Sequence, residues 1–380
     1  MRTLQSTSGH HGFLASGLLL AGAAAIAAGC GQVDDSWADE PVETTQDAIV
    51  NGSPVPAGTR NEVGQVFTSI GWCTATLITP SHFLTADHCH NFAGISRGGS
   101  LALNGSSFTV DRLFSLGNRL LGQHDLAVGQ IVGSVPTSVA TPATIGDAAP
   151  GYDTTITQIG FGCNDRMTQA GKGVKRFLTF TRNSNNDVLC RGDSGGPGFL
   201  GNLNSNGAMV LVASGVYGEP WPFGNSNDLY ADPGMHKTEI NALTNALGNT
   251  GICYRVHAAD VGWMPPVCNG TMLTNRNRTV YGVQIWSART NVVVCYSAYL
   301  SNIGWQGEQC DSNLAGVLGQ ADKGMQALKI RLASRPGGET LTYQGFVGGV
   351  GFTPVVGENQ VIGTPGSGRR LEAFSVTMTP

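Results

Sequence analysis

The last third of the chain repeats itself, and this restricts its fold more than any other feature. Cys253-Tyr254-Arg255-Val256-His257 precedes Val261-Gly262-Trp263, and Cys295-Tyr296-Ser297-Ala298-Tyr299 precedes Ile303-Gly304-Trp305. Thr342-Tyr343-Gln344-Gly345-Phe346 then precedes Val350-Gly351-Phe352, so the aromatic anchors at 263, 305 and 352 stand 42 and 47 residues apart. The three units span about 252–288, 294–333 and 341–378. Each closes on an alternating segment (Val280 to Ile285, Met325 to Ile330, Leu371 to Val376), which indicates strands. Cys253 and Cys268 are fifteen apart, as are Cys295 and Cys310. The third unit has Thr342 and Gly357 at those places and lacks both cysteines together. Joint loss is what a disulfide within each of the first two units predicts, worth roughly 3 kcal/mol in the chain-entropy model. Core packing is the expected role of Trp263, Trp305 and Phe352, ahead of ligand stacking.

These units resemble the clostridial hydrophobic repeat, in which a Gly-Trp is followed by a Gly-rich turn and an Arg/Lys-x-x-x-Ala strand. Lys323 to Ala327 and Arg369 to Ala373 fit that pattern well, and the first unit fits it loosely. The resemblance implies a secreted adhesive or targeting module with a cell-surface or polysaccharide ligand. Three such units imply an all-β, pseudo-threefold structure, a β-prism or a β-trefoil.

The other end of the chain reads as an address. Arg2 and the apolar stretch from Phe13 to Ala28 make a signal peptide too short and too Ala-rich to span a membrane. Residues 1–30 end in Ala27-Ala28-Gly29-Cys30, which resembles the lipobox of a lipoprotein signal peptide; there Cys30 would be acylated and become the new N-terminus. An ordinary signal peptide is the other reading. Of nine cysteines, removing Cys30 leaves eight, which can all pair. Residues 31–48 carry six acids and no base, and read as a propeptide or tether. The expected location is secreted or on the outer cell surface, with membrane contact only through a lipidated Cys30. A net charge of −4 without a basic cluster gives no surface for nucleic acid.

Chemistry lies between residues 49 and 248. Gly192-Asp193-Ser194-Gly195-Gly196-Pro197 surrounds a serine with glycines that let backbone N–H groups turn toward one point. Leu84-Thr85-Ala86-Asp87-His88-Cys89 supplies a base, and His124-Asp125-Leu126-Ala127-Val128 supplies an acid. The strings, in the chain order His, Asp, Ser, resemble the motifs of chymotrypsin-type serine proteases, except that Asp87 stands where a second Ala is commoner. The resemblance implies a double six-stranded β-barrel, a catalytic triad of His88, Asp125 and Ser194, and an oxyanion hole of the Gly192 and Ser194 amides. It implies a protein or peptide substrate and no cofactor. No His-Glu-x-x-His or comparable metal spacing occurs.

The resemblance also implies a Cys73–Cys89 bridge beside the histidine. The usual downstream partner of Cys190 is absent, which predicts a Cys163–Cys190 bridge. Ile49-Val50-Asn51-Gly52 is similar to a mature N-terminus. Cleavage after Ala48 would free an amine to pair with Asp193, making the uncleaved chain a zymogen. For the S1 pocket the family places Val188, Ser214, Val216 and Gly234 around the substrate side chain. Two valines there favour small or medium apolar P1 residues, and Asp187 stands one position from the usual selectivity site. Ile240, Leu243 and Leu247 recur at helical spacing near Lys237 to Leu247, and Gly248 suits the stop. A catalytically silent homologue acting as a surface adhesin or scaffold is the second functional reading.

Overall fold

The computed structural model describes residues 49–68, 71–91, 98–116, 124–165, 168–183, 187–217, 227–247, 251–274, 278–289 and 291–380. The signal segment, Cys30, the acidic stretch 31–48 and Gly248 lie outside these residues. No helix among the described residues is long and apolar enough to cross a membrane.

The fold is nearly all-β. In its first half β2 (Val63–Thr68), β3 (Gly71–Thr79), β4 (His82–Thr85), β5 (Ser100–Leu103), β6 (Ser106–Ser115) and β7 (Ala127–Ile131) follow β1 (Ser53–Pro54) and close into a barrel in the order β2-β3-β4-β7-β6-β5. A short helix, α1 (Asp87–Asn91), leaves the end of β4. A second six-stranded sheet joins β1 to β8 (Thr155–Gly160), β9 (Arg176–Thr181), β10 (Pro197–Leu200), β11 (Met209–Tyr217) and β12 (Asn227–Ala231), in the order β1-β9-β8-β10-β11-β12. Helix α2 (Lys237–Leu247) follows where the apolar spacing places it, with Ile240, Leu243 and Ala246 buried.

The remainder comprises three five-stranded sheets built on one plan. The first unit contributes β13 (Ile252–Ala258), β14 (Gly262–Trp263), β15 (Val267–Cys268), β16 (Leu273–Thr274) and β17 (Val280–Ser287). The second contributes β18 (Val293–Leu300), β19 (Gly304–Trp305), β20 (Gln309–Cys310), β21 (Ala315–Gly316) and β22 (Met325–Ser334). The third contributes β23 (Thr340–Val347), β24 (Gly351–Phe352), β25 (Val356–Gly357), β26 (Ile362–Gly363) and β27 (Leu371–Thr379). In each, the first and last strands pair along their length, and the fourth is lent to a neighbour. Thus β21 pairs β17, β26 pairs β22, and β16 returns to pair β27, closing the ring.

The shared core holds Tyr254, Tyr296 and Tyr343. Each buried ring donates a hydrogen bond from its hydroxyl to a carbonyl seventeen residues on, at Thr271, Asn313 and Gln360. The cysteines of the first two units are cross-strand register partners and form the disulfides Cys253–Cys268 and Cys295–Cys310; Thr342 faces Gly357 at the same place. The core role expected of Trp263, Trp305 and Phe352 needs correction. Each is the register partner of a residue on the outward face of its long strand, namely His257, Tyr299 and Phe346, and packs edge-on against it. Partners across a ladder share a face, so these aromatics cover the outside. Gly262, Gly304 and Gly351 precede them at φ of 81°, 91° and 105°, which explains why glycine stands before each aromatic.

The first unit also docks on the barrel. Trp286, fully buried, lies edge-on to Phe114 with ring centroids 4.6 Å apart. Arg112 donates to the Ser287 carbonyl, and Ser312 of the second unit donates to the Leu113 carbonyl at 2.9 Å. Trp286 and Cys253 share one apolar cluster with Leu84, Phe114 and Ile240, so a single core runs from the barrel through α2 into the repeats.

Candidate active site

β4 ends at Thr85, and α1 then swings His88 out from the barrel wall. The Cys73–Cys89 disulfide ties that turn to β3. Leu116 donates its N–H to the Leu126 carbonyl at 2.8 Å, which fixes the approach to Asp125. The two meet. His88 Nδ1 lies 2.6 Å from Asp125 Oδ2, and the His88 backbone N–H donates to Asp125 Oδ1 at 2.8 Å. Asp125 is fully buried, so its charge is held by these donors and by the Ser214 hydroxyl, which donates to Oδ2 at 2.6 Å. Ser214, expected along the S1 wall, has its side-chain hydroxyl on this acid.

Ser194 stands half-buried at the turn into β10. Its carbonyl accepts from Thr74 N–H at 2.8 Å, Thr74 Oγ1 donates to the Gly192 carbonyl at 2.8 Å, and Thr85 Oγ1 donates to the Thr74 carbonyl at 2.9 Å. These threonines, which motif reading passed over, stitch the serine loop to the histidine strand. Gly195 must be glycine: its φ is 84°, and a Cβ would lie 2.1 Å from the Thr74 carbonyl oxygen. Among the described residues the Gly192 and Ser194 N–H groups donate to no acceptor, which leaves them available to an oxyanion. No hydrogen bond among the described residues joins His88 to the Ser194 hydroxyl. Such contacts are commonly loose in a resting site and tighten around substrate.

Ile49 and Asp193 are both fully buried. Ile49 packs with Val188, Leu189 and Ala213, and Val50 N–H donates to the Val188 carbonyl at 2.9 Å. Asp193 accepts the N–H groups of Gly162 and Cys190, each at 2.8 Å. The Cys163–Cys190 disulfide lies beside this carboxylate, with Cα atoms 5.3 Å apart.

Val188 is buried in the Ile49 cluster, and Gly234 packs against Asp147 and Ala148. Across the ladder from Val216 stands Asp228, a residue the motif reading did not single out. Its two carboxylate oxygens accept Val188 N–H at 2.7 Å and Leu189 N–H at 3.1 Å, and the Tyr230 hydroxyl lies 3.3 Å away. Burial, reinforced by that carboxylate, pushes the Tyr230 hydroxyl well above its ordinary range. The place of Asp228 there depends on the register of β12 on β11.

Among the described residues two clusters have metal-like proximity, Cys73-His88-Cys89 and Cys295-Glu308-Cys310, but their cysteines are paired in disulfides and offer no thiolate. A cleft of about 460 Å³ near Arg60, Thr141 and Phe199 contains no triad residue.

Residues 49–220 match the family model described as Trypsin, a span just under half of the chain. A solved structure of mouse neuropsin, described as a serine protease expressed in the limbic system of mouse brain, is similar at 15% identity, with a TM-score of 0.44 over 52% of this chain and 100% of that one. No curated protein matches the chain. The span 49–220 is thus similar to a trypsin family domain.

Proposed function

We propose that this chain is a serine endopeptidase acting through Ser194, His88 and Asp125. The carrying observation is the 2.6 Å His88–Asp125 pair with Ser214 on the same carboxylate oxygen. Asp125 fixes the imidazole with Nδ1 protonated, leaving Nε2 as the base. Ser194 Oγ adds to the scissile carbonyl carbon while its proton passes to His88 Nε2, and the Gly192 and Ser194 amides receive the oxyanion. The C–N bond then breaks as His88 returns that proton to the leaving amine, and water, deprotonated by His88, releases the acyl group from Ser194. A serine-reactive fluorophosphonate should label the mature protein and not Ser194→Ala. Absence of labelling in the mature wild type would support the silent-homologue reading.

The burial of both Ile49 and Asp193 supports activation by cleavage after Ala48, which frees the Ile49 amine toward Asp193. Two P1 readings follow from two observations. Val188 supports a small or medium apolar P1, which also suits self-cleavage in trans after Ala48. Asp228 beside it supports a basic P1, its carboxylate meeting a lysine or arginine. Cleavage profiling on a peptide library decides between them, and purified Ser194→Ala should stay uncut at the 48–49 bond if activation is autocatalytic. The outward-facing aromatics support a targeting role for the repeats toward a cell-surface or polysaccharide ligand, on a secreted protein anchored through Cys30.

A further inference from the structure

Asp87 departs from the residue common in the histidine motif, and it is fully buried at the head of α1, directly before His88. A carboxylate in that position is costly unless hydrogen bonds and positive charge compensate it. Ser115 Oγ donates to Asp87 Oδ2 at 2.5 Å, and the carbonyl of the same Ser115 accepts Nη2 of Arg255. Arg255 comes from β13 of the first repeat unit and is itself fully buried.

The guanidinium is held from every side. Its Nε donates to Gln284 Oε1 at 2.7 Å, its Nη1 to Glu239 Oε1 on α2 at 2.6 Å, and its plane lies over Trp263 at 4.3 Å. Burial lowers the Arg255 pKa, while Glu239 and then Asp87 hold its proton on. The other units carry Ser297 and Gln344 where the first carries Arg255, since each belongs to the tyrosine-led string at the same place. A buried acid at the histidine turn of the protease and a buried base in the repeats therefore occur together, joined through one serine.

We propose that Arg255 is a positioning residue for His88, so that the repeat region is a working part of the proteolytic unit and not a detachable targeting module. The proposal rests on the reading of His88 as the catalytic base. Ser115 ends β6, one residue before Leu116, whose N–H fixes Leu126 beside Asp125. Anchoring Ser115 from the repeats thus steadies the approach to both His88 and Asp125. Displacements of about 1 Å in such a constellation cost up to about a hundredfold in rate.

The test compares mature wild type with Arg255→Met, Asp87→Ala with Arg255→Met, and Glu239→Gln with Arg255→Met. It reads peptide hydrolysis, the melting temperature, and the downfield proton resonance shared by His88 and Asp125. Arg255→Met should lower kcat at least about tenfold with KM within about twofold. Adding Asp87→Ala should restore kcat to within about threefold of wild type, because it removes the acid that needed compensation. Glu239→Gln should restore less, since Glu239 is partly exposed and keeps His236 at 3.3 Å. Unchanged kcat in Arg255→Met, or loss that Asp87→Ala does not repair, overturns the proposal. Should Arg255→Met alone not fold, recovery of folded, active protein on adding Asp87→Ala supports it, and failure to recover overturns it. A wild type that hydrolyses nothing defeats the protease reading alone. The resonance then decides: movement in Arg255→Met and return with Asp87→Ala sustains positioning, and no movement overturns it.

Discussion

The first and third repeat units share a skeleton and differ on the outside. Both bury a tyrosine in the common core and hang a Gly-aromatic hairpin on the long strand. Opposite Cys253 the first unit has Trp286, buried against Phe114; opposite Thr342 the third has Thr377, exposed to solvent. At the next outward position Arg255 is fully buried, while Gln344 is half-buried and bonds only its own unit, to the Thr353 carbonyl at 2.8 Å. Positions facing inward follow the threefold plan, and positions facing outward have diverged where the protease domain sits. The difference marks a docking face without any need for an interface motif.

Substitution at the outward pair should show the largest asymmetry. Trp286→Ala empties a site shared by both halves and should cost about 3–5 kcal/mol, whereas Thr377→Ala should stay within about 0.5 kcal/mol. Chemical denaturation of both variants measures the contrast. Equal effects would mean that the docked face carries no more stability than the free one.

Disulfides offer the next contrast. Replacing Cys295 and Cys310 by alanine should cost roughly 3 kcal/mol, the chain-entropy value for a loop of this length. The third unit has the same fifteen-residue spacing and direct register at Thr342 and Gly357. Thr342→Cys with Gly357→Cys should therefore gain a similar amount under oxidising conditions, and the gain should vanish with a reductant. The three tyrosine hydroxyls should behave alike, because they belong to the shared skeleton. Tyr254→Phe, Tyr296→Phe and Tyr343→Phe should each cost about 1 kcal/mol, and a spread much wider than that would break the threefold picture.

How far the sequence was legible depends on the range of each determinant. The order His88, Asp125, Ser194, the two repeat disulfides and the span of α2 lie in local strings or fixed spacings, so they could be read directly, whereas Cys73–Cys89 and Cys163–Cys190 were implied only by the family resemblance. Asp228 could not, since its place beside Val188 depends on how β12 registers on β11, with an irregularity between Ala213 and Gly215. Arg255 meets Ser115 across 140 residues, and no local pattern encodes that contact. The outward placement of Trp263, Trp305 and Phe352 followed from hairpin register, which composition does not reveal.

The smallest effect should be a difference in acid sensitivity. His257 stands where the second and third units have Tyr299 and Phe346, each packed edge-on to its own Trp or Phe. Burial lowers the His257 pKa below its ordinary 6.5, Arg255 pushes the same way, and Glu239 opposes them. The unfolded chain therefore takes up this proton before the folded one does. The stability tied to His257 is complete above about pH 6.5 and declines as pH falls below it. His257→Tyr gives the first unit the residue of the second and removes that decline. His82, whose pKa burial lowers to about 4, destabilises wild type and variant equally in acid and cancels in their difference. The melting temperature of His257→Tyr relative to wild type should thus be flat from pH 8 to 7 and rise between pH 6.5 and 5. A pH-independent difference would show that the first unit tolerates the imidazolium as readily as the other two tolerate their neutral rings.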